Sequence, residues 1–199
     1  MPVPEPSTIK LAFLSGSVRR DSLNLKLARL ACQIAAERGH DATYIDLAAY
    51  PMPIYDGDLE TAEGVPENAR RLFDDLARFD GVFIASPEYN GGMAPLLKNT
   101  IDWLSRIKTD ALGPGMLFRT RVFALGSAAA SEMGGVRGLI QLRQTLAVAL
   151  GATVIGGQVQ VAGGPENFDA EGNLTDARRR GFLEANIETL ARVAGALKP

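Results

Sequence analysis

Five short apolar runs, each separated from the next by a segment whose hydrophobic residues recur at helical spacing, constrain this chain more than any other feature. The runs are Ile9–Ser15, Asp41–Leu47, Gly81–Ser86, Arg121–Ser127 and an interrupted one within Ala152–Val161. Between the first two, Leu23, Leu27, Leu30 and Ile34 lie on one helical face, and Gly39 follows Arg38 as a stop. Strand and helix in strict alternation predict a parallel sheet with helices on both faces. Further helices are expected over Glu67–Arg78, Pro95–Ile107, Val136–Leu150 and Asp176–Leu197, with Pro95 in a first turn and Thr175 as the last N-cap. Pro51–Pro66 and Ala162–Asn173 read as loops.

A length of 199 residues suits one domain with generous loops, since domains average roughly 150 residues. The expectation is a single domain over 9–199, preceded by a disordered tail over 1–8 (MPVPEPST) that is Pro-rich and acidic rather than leader-like. Charge is nearly balanced, 21 Lys and Arg against 23 Asp and Glu, with no long block of one sign, so neither nucleic acid nor an anionic membrane is an expected partner. No apolar run approaches the ~18 residues of a spanning helix, and the cytoplasm is the expected location. One cysteine, Cys32, and one histidine, His40, exclude an intrachain disulfide, a Cys/His zinc site and a triad needing two such groups. Cys32 reads as a packed thiol, Arg178-Arg179-Arg180 as a solvated or interface face, and the sequon at Asn173 as a turn and cap.

Three segments fall where ligands bind in such folds, past the carboxyl ends of strands. In Ser15–Asn24 (SGSVRRDSLN), Ser17, Ser22 and Asn24 bring side-chain donors and Arg19 a charge to a helix N-terminus, a mixture suited to a phosphate monoester. The plainer alternative is that Ser and Asn only cap a helix. No G-x-x-x-x-G-K-[ST] is present, Gly16 stands without the partners of G-x-G-x-x-G, and Ser127 lacks the G-x-S-x-G frame. The second segment, Ser86–Gly92 (SPEYNGG), combines the stiff Pro87, the amide of Asn90 and two glycines that allow a flat ring to approach backbone; a turn with one surface Tyr is its alternative. The third, Gly126–Gly135, is made of small residues that leave one side of a pocket open, or is an ordinary loop.

GSVRRDSLN at 16–24 and SPEYNGGMAPLLKNTIDWLSR at 86–106 resemble the NADPH-dependent FMN reductase family, and the likeness runs in order through nearly the whole chain. The resemblance implies a flavodoxin-like three-layer sandwich whose five-stranded parallel sheet has the order 2-1-3-4-5. It implies FMN as cofactor, with Ser17, Arg19, Ser22 and Asn24 on its phosphate, Pro87, Glu88, Tyr89, Asn90 and Gly91 along the isoalloxazine, and Ser127 beside the ring. The chain departs from the family pattern at Ala94-Pro95 and in the longer Ser127–Gly135 loop.

The activity implied is hydride transfer from NADPH, or NADH, through FMN to quinone-like, azo, metal-oxyanion or flavin acceptors in a ping-pong cycle. The flavin then carries the chemistry and no protein acid–base pair is needed; Tyr89 is the candidate contact for donor or acceptor. A flavodoxin-type electron carrier and a flavin-binding sensor are the non-enzymatic alternatives, although such carriers are strongly acidic and hold phosphate without Arg. A homodimer or homotetramer is expected, partly from the resemblance. The other reason is the wide apolar face formed by Leu96, Leu97, Ile101, Trp103, Leu104 and Ile107.

Overall fold

The computed structural model describes residues 8–109 and 113–198. All but one of the residues of the expected N-terminal tail lie outside that range. Strands β1 (Lys10–Ser15), β2 (Asp41–Ile45), β3 (Gly81–Ala85), β6 (Val122–Ala129) and β7 (Thr153–Ala162) form one parallel sheet in the order β2-β1-β3-β6-β7. Two-residue strands β4 (Glu88–Tyr89) and β5 (Gly92–Met93) make a separate antiparallel hairpin. Numbered among the long strands alone, the order is the expected 2-1-3-4-5.

The burial of each strand follows its place. β3 is buried throughout and β1 everywhere after Lys10, which is why both read as unbroken apolar runs. At the edges, β2 and β7 alternate between exposed and covered positions. A register shift against β6 leaves Ile155–Gly157 as a bulge, the interruption legible in the sequence.

Helices α1 (Leu23–Glu37) and α7 (Ala177–Leu197) cover one face, where Phe13, Leu27, Phe83 and Leu183 are fully buried. The other face is covered by α3 (Glu67–Ala77), α4 (Pro95–Arg106), α5 (Met116–Arg119) and α6 (Val136–Arg143), around Leu72, Leu97, Leu125 and Leu139. A π-helical stretch, Gln144–Ala149, continues α6. Helix α7 is capped by Asp176 and not by the expected Thr175: the Asp176 carboxylate accepts from the amides of Arg178 and Arg179, while the Thr175 hydroxyl donates to the Glu166 carbonyl.

The segment expected to be a loop over 51–66 contains α2 (Gly57–Glu63), capped by Asp56. The same segment covers α4. Trp103 is fully buried, donates Nε1–H to the Pro53 carbonyl at 2.8 Å and meets the Tyr55 ring edge-on at 5.0 Å, while Asn99 accepts from the Tyr55 amide at 2.7 Å. The apolar face of α4 is therefore consumed inside the chain, which removes it as a reason to expect a partner subunit. Trp103→Phe is expected to cost about 1–2 kcal/mol by losing the Pro53 bond and some contact area, measured as a lower urea midpoint.

Candidate functional site

The parallel sheet brings the carboxyl ends of β1, β3 and β6 side by side, and backbone bonds join the segments leaving them. The Gly16 amide donates to the Ala85 carbonyl and the Ser86 amide to the Gly126 carbonyl, both at 2.8 Å. The first segment folds back on itself: Ser15 Oγ accepts from the Ser17 amide and donates to the Ser17 carbonyl, and Ser17 Oγ accepts from the Arg19 amide at 3.4 Å. Ser22 caps α1 by accepting the Leu25 amide at 3.3 Å.

A hydroxyl that accepts still has a proton to give, so Ser17 and Ser22 remain available as donors. The first-turn amides of Leu23 and Asn24 have no acceptor among the described residues. The guanidinium of Arg19, exposed on the same turn, makes no ion pair among them either. The arrangement is a positive helix end beside an uncommitted cation.

Asn24, in the first turn of α1, has a side chain already engaged within the chain. Its side chain is buried, with Nδ2 donating to the Ala128 carbonyl at 2.8 Å and Oδ1 accepting the Ala128 amide at 2.9 Å. Both ends of the amide bond the segment after β6, so Asn24 is a strut between the first and third segments; one Nδ2 hydrogen and the Oδ1 acceptor are engaged in it. Asn24→Ala leaves the buried N–H and C=O of Ala128 without their partner and is expected to cost roughly 2–3 kcal/mol of stability, read from denaturant unfolding.

In the second segment, the hairpin turns at Asn90 and Gly91, both with positive φ (52° and 78°), the pair of left-handed residues that a tight two-residue turn requires. Their amides donate to no acceptor among the described residues. Tyr89 is 48% exposed and free of the core, whereas Pro87 is buried behind it. The side chain of Glu88 is only 6% exposed and turns away from the turn toward α6. Its carboxylate accepts the Arg137 and Gly138 amides and is paired with the Arg137 guanidinium, which holds its pKa below the ordinary carboxylate range. Because that pKa is lowered, the pairing persists through neutral and mildly acidic pH and is lost only as pH falls through the lowered value.

Ser127, expected beside a ring, is fully buried against Gly135, and its Oγ has no partner among the described residues. Its contact with the third segment is packing against Gly135. Cys32 is half-buried, and burial pushes its thiol pKa up, in keeping with an inert packed thiol. Among the described residues there is no cluster able to hold a metal ion, and no helix is long and apolar enough to cross a membrane. A cavity of about 720 Å³ lies on the flank between β7 and α7 and is lined by none of the three segments.

A profile of the NADPH-dependent FMN reductases matches residues 9–166. The chain belongs to that family. It is 32% identical over 196 residues to a quinone reductase of Escherichia coli, covering 93% of this chain and 97% of that one. It is 29% identical over 187 residues to a 2-hydroxy-1,4-benzoquinone reductase of a Burkholderia species, covering 92% and 94%. Among solved structures it shares its fold with a flavoenzyme NAD(P)H:(acceptor) oxidoreductase from Paracoccus denitrificans, with a TM-score of 0.77, 24% identity and coverage of 95% and 98%. The protein is thus a flavin- and nicotinamide-dependent oxidoreductase, and an enzyme rather than a carrier or sensor.

The residues present fit the cofactor of this FMN reductase family. An uncommitted arginine and free helix amides suit a dianionic ester, and unpaired turn amides next to an exposed tyrosine suit the polar edge of a flat ring. Arg137 and Gln141, which hold the hairpin, were not among the expected residues. Nothing near them in sequence marks them, because their partners lie about fifty positions earlier.

Proposed function

We propose that this protein is an FMN-dependent NAD(P)H oxidoreductase whose preferred acceptors are quinones. In this reading the FMN phosphate sits on the turn before α1, against Arg19, the hydroxyls of Ser17 and Ser22, and the Leu23 and Asn24 amides. The ring lies along the hairpin, where Pro87 and Glu88 contribute through backbone and Asn90 and Gly91 through their free N–H groups. When bound there, FMN relays hydride from the nicotinamide to the acceptor. The protein orients the two substrates, and Tyr89 is the side chain proposed to meet each in turn. Ser127 and Asn24 act from beneath, as supports.

The observation that carries this reading is the Arg19 guanidinium, unpaired among the described residues beside free first-turn amides. The names of the two relatives support quinones as the acceptor class; azo compounds, metal oxyanions and free flavin are the further acceptors to compare. A reductase that draws on NAD(P)H works where that pool is, so this reading implies the cytoplasm. With the α4 face consumed, self-association as a homodimer or homotetramer rests on the exposed Ile140 and Val148, on α6 and its π-helical continuation. Light scattering that gives a monomer mass at every dilution removes that part of the reading.

Arg19→Ala is expected to weaken FMN binding by about 1.5–3 kcal/mol, more than tenfold in Kd, measured by fluorescence titration; an unchanged Kd would sink the phosphate assignment. Initial rates over a matrix of NADPH and quinone concentrations are expected to give parallel double-reciprocal lines, as one shared face serving two substrates requires. Intersecting lines would exclude the shared face.

A further inference from the structure

The hairpin Glu88–Met93 is too small to hold itself in place. It pairs only Glu88 with Met93 and Tyr89 with Gly92, and isolated two-stranded hairpins are marginal in water even when much longer. Its position is set by α6. Glu88 Oε2 accepts the amides of Arg137 at 2.9 Å and Gly138 at 3.1 Å, two of the donors that a helix N-terminus leaves free. Glu88 Oε1 accepts Arg137 Nε at 2.8 Å and the guanidinium's terminal nitrogen as well.

One helical turn on, Gln141 donates Nε2–H to the Gly91 carbonyl and accepts the Met93 amide at Oε1, both at 3.3 Å. The close seat depends on Gly138, where a Cβ would stand 3.0 Å from the Gly92 carbonyl oxygen and 3.3 Å from the Glu88 Cα. The one acidic side chain of the ring segment is thereby neutralised by a helix end and an arginine. The turn it carries presents its free Asn90 and Gly91 amides at a fixed height on the sheet edge.

We propose that Glu88 is a positioning residue for the flavin, a latch to α6 with Gln141 as its second anchor, which holds the Asn90 and Gly91 amides where the ring's polar edge lies. The inference rests on the FMN reading of the site and goes beyond it by giving this carboxylate a task separate from contact with ligand. Preset N–H groups stabilise the more negative, reduced form of a ring better than mobile ones do, because nothing has to reorganise when the charge appears. The latch therefore affects the flavin's redox potential as well as its affinity.

The test compares wild type, Glu88→Gln, Gln141→Ala and Arg19→Ala in three measurements. These are amide hydrogen exchange of 88–93 in the FMN-free protein, FMN affinity, and the midpoint potential of the bound flavin. Glu88→Gln is expected to speed exchange over 88–93 while leaving β1 and β3 protected and to weaken FMN binding about tenfold. Gln141→Ala, which changes no charge and so leaves Arg137 paired, should speed exchange and weaken binding by less and move the midpoint to a more negative value, and it decides the matter should the Glu88 variant fail to fold. Arg19→Ala should weaken binding without changing exchange or potential. Wild-type exchange in both hairpin variants, or a wild-type potential in Gln141→Ala, would overturn the latch. A wild-type protein that binds no FMN would instead overturn the cofactor site, and the exchange measurement would still judge the latch by itself.

Discussion

Asn24 and Ala128 are 104 positions apart, and two hydrogen bonds between them fix the start of α1 to the end of β6. One buried amide side chain satisfies both backbone polar groups of one residue, Ala128, and that reciprocal pairing ties the turn that carries Arg19 to the segment after β6. The sheet alone brings the strand ends to a common edge. It does not set the orientation of the turn before α1, whose first-turn amides must face outward if they are to meet an anion. Ser22, which caps α1 two residues earlier, and Asn24 share that work: one terminates the helix and the other moors it.

Long-range struts of this kind explain what the sequence could and could not disclose. Unbroken apolar runs in β1 and β3 announced central strands, and the alternation of strand with helix announced the layers. The Ser22 cap and the exposed Arg19 before α1 were legible because helix-end chemistry is local. Asn24 was legible as a polar residue in the right place, but its engagement with Ala128 was not, since no pattern within a turn of α1 points to the far strand. Glu88 presents the same case more strongly: a carboxylate in a segment expected to line a ring looks like a ligand contact until α6, about fifty residues later, takes it. The hairpin did leave a local sign, Asn90-Gly91, the dipeptide most at home in a tight turn with two positive φ values. Helix α2 also had one, Asp56 before Gly57–Glu63, within a stretch whose prolines spoke louder.

The covering of α4 shows how an apolar stripe can mislead. Six apolar residues on one helix exceed what a sheet face can bury, and a second subunit is one way to cover the excess. Here the chain covers it with Pro53 and Tyr55, and the cost of burying the Trp103 indole nitrogen is offset by a backbone carbonyl aimed at it. Two of the exposed apolar side chains, Ile140 and Val148, lie on α6 and its π-helical continuation, and α6 also anchors the hairpin. Whatever meets that outer face is structurally connected to the candidate site through Arg137 and Gln141.

Strand order has a consequence for biosynthesis. As the polypeptide leaves the ribosome, β2 finds β1 already made, β3 docks on the opposite side of β1, β6 on β3, and β7 on β6. Each newcomer joins an existing neighbour and none has to be threaded between two others, so the sheet can grow outward in the order of translation. Until β6 emerges, the nascent half carries Arg19 and the tyrosine hairpin without the strut or the latch that fixes them.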